Sequence, residues 1–231
     1  NGLVYSNVEN IAEFIINNQA TFALMGILRS TEFESKLERA YYPEQDTKDL
    51  IILVHGTASS PKTFQGIIDD ISFSDQNIAL YTLRYSLANS IDEIANEFSN
   101  LLETRTQEFD NIHIIAHSAG GIITQQALRE SYDNSAEFIE KIGKVILVAT
   151  PNEGSPIAEV YKNLFNELIN EESDNPVFSI NSQSIDDLIK GRIIPRVPDI
   201  DYYVIAGTRE FSIKIPFFDD TSDLFEGETS D

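Results

Sequence analysis

Asn111-Ile112-His113-Ile114-Ile115-Ala116-His117-Ser118-Ala119-Gly120-Gly121-Ile122-Ile123 is the stretch from which the rest of the chain can be read. A β-branched apolar run ends in a turn of small residues and passes at once into a helical pattern. Ser118 stands at the apex, with Ala116 two residues before it and Gly120 two residues after. That is the spacing of a nucleophile elbow, with alanine in place of the first glycine. Such a turn lifts a serine oxygen above a sheet on a strained backbone, and small neighbours keep Cβ atoms from colliding. Ala116 and Gly120 are therefore expected to pack against each other. The N–H of Ala119 would stand at a helix N-terminus, where the dipole favours a developing oxyanion. Taken alone, Ala-x-Ser-x-Gly is equally well an ordinary strand–turn–helix corner, so a second motif has to separate the two readings.

Upstream, Leu50-Ile51-Ile52-Leu53-Val54 is a continuous apolar run, as expected for a parallel strand buried on both faces. His55-Gly56-Thr57-Ala58-Ser59-Ser60 follows it directly. Ligands of open α/β sheets bind beyond the carboxyl ends of the strands. The His55 loop and the Ser118 turn both fall at such ends. A His-Gly turn there can aim a backbone N–H, that of Thr57, at the oxygen that Ala119 addresses. Removing one such donor typically costs about 3–4 kcal/mol of transition-state stabilisation.

Further strands are expected at Ile78 to Leu83, Val145 to Ala149 and Tyr202 to Ala206. Helices lie between them. Ser60-Pro61 opens one carrying Phe64, Ile67, Ile68 and Ile71, and Ser90-x-x-Glu93 is a capping box for the next. Ser155-Pro156 opens another with Val160, Tyr161, Leu164, Phe165 and Leu168, and a short helix spans about Ser182 to Lys190. Alternating units of this size imply a mainly parallel sheet with helices on both faces. Before the first strand, apolar spacing from Val8 to Ala20 is helical, and Thr31-x-x-Glu34 predicts a helix through about Ala40. Residues 1–48 are thus expected as a helical lead-in, 49–206 as the core and 207–231 as an acidic loop. No linker divides the 231 residues, so one domain is expected.

With 38 acidic and 16 basic residues the formal charge is −22, which repels nucleic acid and anionic membrane surfaces. No apolar run approaches membrane-spanning length. The chain has no cysteine, which removes disulfides, thiolate metal sites and a thiol nucleophile. That is compatible with the cytoplasm, the favoured compartment, although a sequence opening at Asn1 leaves a removed targeting segment open. His113 and His117 are four apart but on a strand, so they do not form one metal-binding helix face. Neither a metal nor another cofactor is expected.

Together these motifs resemble the α/β-hydrolase superfamily, in its lipase and esterase branch. The resemblance rests on the His55-Gly56 loop, on the Ala116-His117-Ser118-Ala119-Gly120-Gly121 elbow, and on Thr150-Pro151-Asn152-Glu153-Gly154-Ser155 after the next strand. It covers roughly Leu50 to Ala206. It implies hydrolysis of a carboxylic ester or acyl lipid through a Ser118 ester intermediate, with the N–H groups of Thr57 and Ala119 as oxyanion hole. His55, Gly56, His117 and Gly120 are then supporting motif residues.

The family's triad runs serine, acid, histidine in chain order. The resemblance makes Asp231 the candidate acid, with Asp219, Asp220 and Asp223 behind it. All three histidines, His55, His113 and His117, precede Ser118. The expected general base is therefore absent from its place. Two expectations follow: a further C-terminal fragment carries the histidine, or the chain is a degenerate hydrolase that binds without turnover. The substrate's acyl length and the oligomeric state are not encoded in any motif.

Overall fold

The computed structural model describes residues 34–43, 47–57, 59–74, 77–86, 89–155, 158 and 182–206. Among the described residues six strands form one sheet: β1 (Lys36–Tyr41), β2 (Asp49–Val54), β3 (Ile78–Arg84), β4 (Asn111–His117), β5 (Ile142–Val148) and β6 (Asp201–Ile205). Their spatial order is β1-β3-β2-β4-β5-β6. The β2–β3, β2–β4, β4–β5 and β5–β6 pairs are parallel, and only β1 runs antiparallel, against β3. Helices α1 (Gln65–Ser74), α2 (Ile91–Arg105), α3 (Ala119–Asp133) and α4 (Ser182–Lys190) accompany the strands.

The chain order fixes where the helices go. The step β2–α1–β3 moves toward β1, whereas β3–α2–β4 and β4–α3–β5 move the other way. Right-handed crossovers therefore put α1 on one face of the sheet and α2 with α3 on the other. Between α2 and α3, the Ser99 and Ser131 hydroxyls meet at 2.6 Å. Leu50, Ile52, Leu53 and Val54 of the central strand are fully buried, as are Ile112, Ile114 and Ala116 of β4. Phe98 and Leu102 of α2 with Ala127 and Leu128 of α3 complete this core. The capping box at the start of α2 is formed: the Ser90 hydroxyl accepts from the Glu93 N–H at 3.2 Å. The Glu93 carboxylate in turn accepts from the Ser90 N–H at 2.7 Å.

One expectation is corrected. The segment read as the end of a helical lead-in, through Ala40, is the edge strand β1. Its register pairs Leu37 with Leu83 and Arg39 with Tyr81. The Arg39 guanidinium also lies 4.4 Å from the Tyr42 ring centre. Lys, Leu, Glu, Arg and Ala are all good helix formers, and the open edge of β3 overrides that local preference. The other expected opening helices, before residue 34, lie outside the described residues. So does nearly all of the helix expected after Ser155, and the acidic loop from 207 onward. At Ser60-Pro61 the helix begins as a 3-10 turn, Pro61–Phe64, and Ser60 makes no side-chain cap bond.

Candidate active site

In this strand order β2 and β4 are neighbours, and the chain leaves β2 for one side of the sheet and returns to its other side as β4. The carboxyl ends of these two strands border the crevice where open α/β sheets bind ligands. His55 follows β2 and Ser118 follows β4.

Ser118 has φ 53° and ψ −126°, a conformation that favours glycine. Its N–H donates to the Val148 carbonyl at 2.9 Å, and its own carbonyl accepts from Gly121 at 2.9 Å. The serine is thus tied to β5 on one side and to the first turn of α3 on the other. Ala119 is the first residue of that helix, where N–H groups have no partner within the helix and the dipole is positive.

The His55 loop closes directly onto the serine. A Cβ at Gly56 would lie 2.7 Å from Ser118 Cβ and 3.2 Å from His117 Nδ1. Gly120 permits an equally close approach from the helix side. A Cβ there would come within 2.6 Å of the Val54 carbonyl oxygen and nearer still to that of His55. The three atoms nearest to it belong to Val54, the last residue of β2, and to His55, which follows it. Gly121 in turn makes room for the side chain of Thr150, whose Cβ would be 2.8 Å from a Cβ at that position.

Thr57 and Ala119, the two candidate oxyanion donors, line one pocket. Ile91 and Ile94 of α2, Ile123 of α3 and Ser184, Ile185 and Leu188 of α4 form its walls, with Tyr85 and Asn89 from the connection after β3. These wall residues were not singled out from the sequence as site residues. Their helical periodicity marks them as buried, but only the tertiary fold brings α2 and α4 to the serine corner.

The three histidines are held differently. His55 is buried, its Nδ1–H donates to the Gly56 carbonyl at 2.9 Å, and its ring stacks on Tyr85 at 4.3 Å. The Tyr85 hydroxyl donates to the His55 carbonyl at 2.7 Å, so ring and backbone of this loop residue are both fixed. His113 Nδ1 accepts from the Lys144 N–H at 3.0 Å, and the ring lies over Gly143. His117 Nδ1 is buried beside Gly56 and has no hydrogen-bond partner among the described residues. Burial holds His113 and His117 below the ordinary imidazole value, and Lys144 adds to this at His113. Asp231 and the alternatives Asp219, Asp220 and Asp223 lie outside the described residues. Among the described residues no group of three or more His, Cys, Asp or Glu could hold a metal ion. No described helix is long and apolar enough to cross a membrane.

Burial pushes the His55 imidazole from 6.5 down to about 4, against the Gly56 hydrogen bond, which acts the other way. In the unfolded chain the ring takes up its proton near the ordinary value. Between the two values the unfolded state holds the extra proton, so the contribution is complete above pH 6.5 and is lost as pH falls toward 4. The loss is roughly 3 kcal/mol by the acid end of that window. Urea unfolding of the wild type and of His55→Gln at pH 7 and pH 4.5 measures it. The wild type should lose roughly 2–3 kcal/mol more than the variant on acidification, and equal losses would assign the acid sensitivity to other groups.

Residues 25–178 match a family described as a domain of unknown function, DUF7379. The chain belongs to the DUF7379 family. No curated protein matches this DUF7379 chain in sequence. Solved structures do match its fold. A mature lipase of Bacillus licheniformis is 18% identical, with a TM-score of 0.54 over 77% of this chain and 74% of the lipase. A metagenomic carboxyl esterase is 17% identical, with a TM-score of 0.52 over 71% of this chain and 51% of the esterase. A type II thioesterase of the yersiniabactin biosynthetic pathway is 11% identical, with a TM-score of 0.52 over 75% of this chain and 79% of that one. This DUF7379 chain therefore has an α/β-hydrolase-like fold, shared with lipases, esterases and thioesterases.

Proposed function

We propose that the protein is a serine hydrolase of lipase or esterase type, acting on a carboxylic ester or acyl lipid through a Ser118 acyl-enzyme. The observation that carries this reading is the Ser118 corner itself. A serine is held at positive φ, at the N-terminus of α3, with Ala119 and Thr57 on one apolar pocket beside it. Ser118 Oγ would attack the ester carbonyl and lose its proton to a general base. The carbonyl oxygen, now an anion, would receive the N–H groups of Thr57 and Ala119. Collapse expels the alcohol, which takes the proton from the base. Water activated by the same base then releases the acid and frees Ser118.

The base is not drawn from His55, whose buried imidazole is stacked on Tyr85 and held at low basicity, or from His113, whose ring packs over Gly143 within the sheet. The reading assigns it to a histidine outside this sequence, oriented by Asp231. Among the described residues β6 is the outer strand of the sheet, and its Tyr203, Val204 and Ile205 are 49%, 57% and 55% exposed. The second reading, a binding module on a hydrolase fold, is favoured by the histidine count alone: none of the three follows Ser118.

Fluorophosphonate labelling of the natural full-length polypeptide, with peptide mapping, tests the proposal. A covalent adduct on Ser118, lost in Ser118→Ala, is the expected result. An unlabelled serine in that polypeptide would leave the binding module as the better reading.

A further inference from the structure

The pocket lined by Thr57 and Ala119, the residue after Ser118, is small. Its cavity volume is about 20 Å³, room for about one water-sized group. Five aliphatic side chains, Ile91, Ile94, Ile123, Ile185 and Leu188, bound it, and Thr57 and Ala119 stand on it as well. An acyl group whose carbonyl oxygen faces Thr57 and Ala119 therefore has its chain directed among these aliphatic residues. Charged acyl groups would lose their hydration there with no opposite charge among the described lining side chains.

The wall made by α4 is fastened. Arg192, just after the helix, reaches back to the Asp187 carboxylate at 2.7 Å and across to that of Asp92 in the first turn of α2 at 3.1 Å. The Ser184 hydroxyl donates to the Asn89 carbonyl at 3.3 Å. Beyond the helix, Gly191 at φ 75° touches the loop after β5 so closely that a Cβ would be 2.5 Å from the Glu153 carbonyl carbon. Gly154, in that loop and at φ 103°, meets the end of α4 in the same way. α4 is thus tied both to α2 and to the Thr150–Ser155 loop.

We infer that this pocket selects short, uncharged acyl groups, with Leu188 and Ile185 of α4 as the residues that set the length. The inference rests on the serine-hydrolase reading and adds the substrate class to it.

The test uses the natural full-length polypeptide with p-nitrophenyl acetate, butyrate and octanoate, alongside fluorophosphonate labelling of Ser118. The kcat/KM for butyrate should exceed that for octanoate by about tenfold or more, the scale on which hydrophobic pockets discriminate chain length. Leu188→Ala should narrow or reverse that ratio by a similar factor, and Ile185→Ala gives the same readout should the first variant fold poorly. A labelled Ser118 with octanoate hydrolysed as well as butyrate overturns the acyl-length inference alone. A wild type that neither labels nor hydrolyses any of the three esters overturns the serine-hydrolase reading, and the inference with it.

Discussion

Gly120→Ala is expected to destabilise the protein by at least about 3 kcal/mol, or about 10 °C in Tm for a chain of this length. The new Cβ would fall 2.6 Å from the Val54 carbonyl oxygen and closer still to the His55 carbonyl oxygen. Both are backbone atoms, so no rotamer change relieves the contact. The His55 carbonyl is further pinned by the Tyr85 hydroxyl, itself fully buried among apolar groups, which push its pKa upward. The helix would have to back away from β2, opening the corner that holds Ser118 against Gly56. Gly66→Ala in α1 is the matched control, because nothing lies within 4 Å of a Cβ there. It should stabilise by about 0.5–1 kcal/mol through the lower chain entropy of alanine in a helix. Thermal or urea unfolding of the two variants checks both signs, and a Gly120→Ala protein as stable as the control would show that α3 is not held against β2 by this contact.

How much of this could be read from the sequence depends on the range of each constraint. The central strands are self-declaring. Leu50 to Val54 is buried on both faces, so its apolar run needs no partner to be recognised, and the observed strand is Asp49–Val54. The Ser90 box and the helix Ser182–Lys190 are likewise local, since caps and periodicity act within a few residues. β1 was not legible as a strand. Its residues favour a helix, and what makes them a strand is the edge of β3, which no local pattern announces. The six-stranded order follows the same logic, because adjacency of β2 and β4 comes from the crossovers rather than from either strand's own residues.

The candidate site divides in the same way. Ser118 and the His55 loop are encoded as short backbone constraints, in which small residues stand where chains must approach, so their spacing carries information. Tyr85 lies 30 positions from His55, yet it holds that residue through both a stacked ring and a hydrogen bond. Nothing near Tyr85 in the sequence signals this. Ile185 and Leu188 read only as one face of a helix. Their place on the pocket depends on the Arg192 contacts with Asp92 and Asp187 and on the close approach of Gly154 and Gly191.

The largest effect on chemistry is expected from Ser118→Gly, and the same substitution should make the protein more stable. Ser118 sits at φ 53° and ψ −126°, where an L side chain costs about 1–3 kcal/mol and glycine costs far less. Ala149, at the end of the neighbouring β5, also has positive φ, at 48°. Two strained non-glycine residues therefore stand at the carboxyl ends of adjacent strands, which is where strain is functionally useful. Glycine at 118 removes the Cβ and with it the strain, although it adds about 0.5–1 kcal/mol of backbone entropy cost. The net gain should be about 1 kcal/mol, or about 2–4 °C in Tm. Hydrolysis and fluorophosphonate labelling should fall by about 1,000-fold or more, as for loss of a nucleophile that acts with its base as a unit. Ser118→Ala separates the two effects. It removes the same oxygen but keeps the Cβ, so activity should be lost while stability stays near the wild-type value. If Ser118→Gly is no more stable than Ser118→Ala, the backbone at this corner is not strained. If both variants retain hydrolysis, the nucleophile lies elsewhere. The expected pattern, loss of chemistry in both and stabilisation only in the glycine variant, would tie the strained backbone and the reactive oxygen to the same residue.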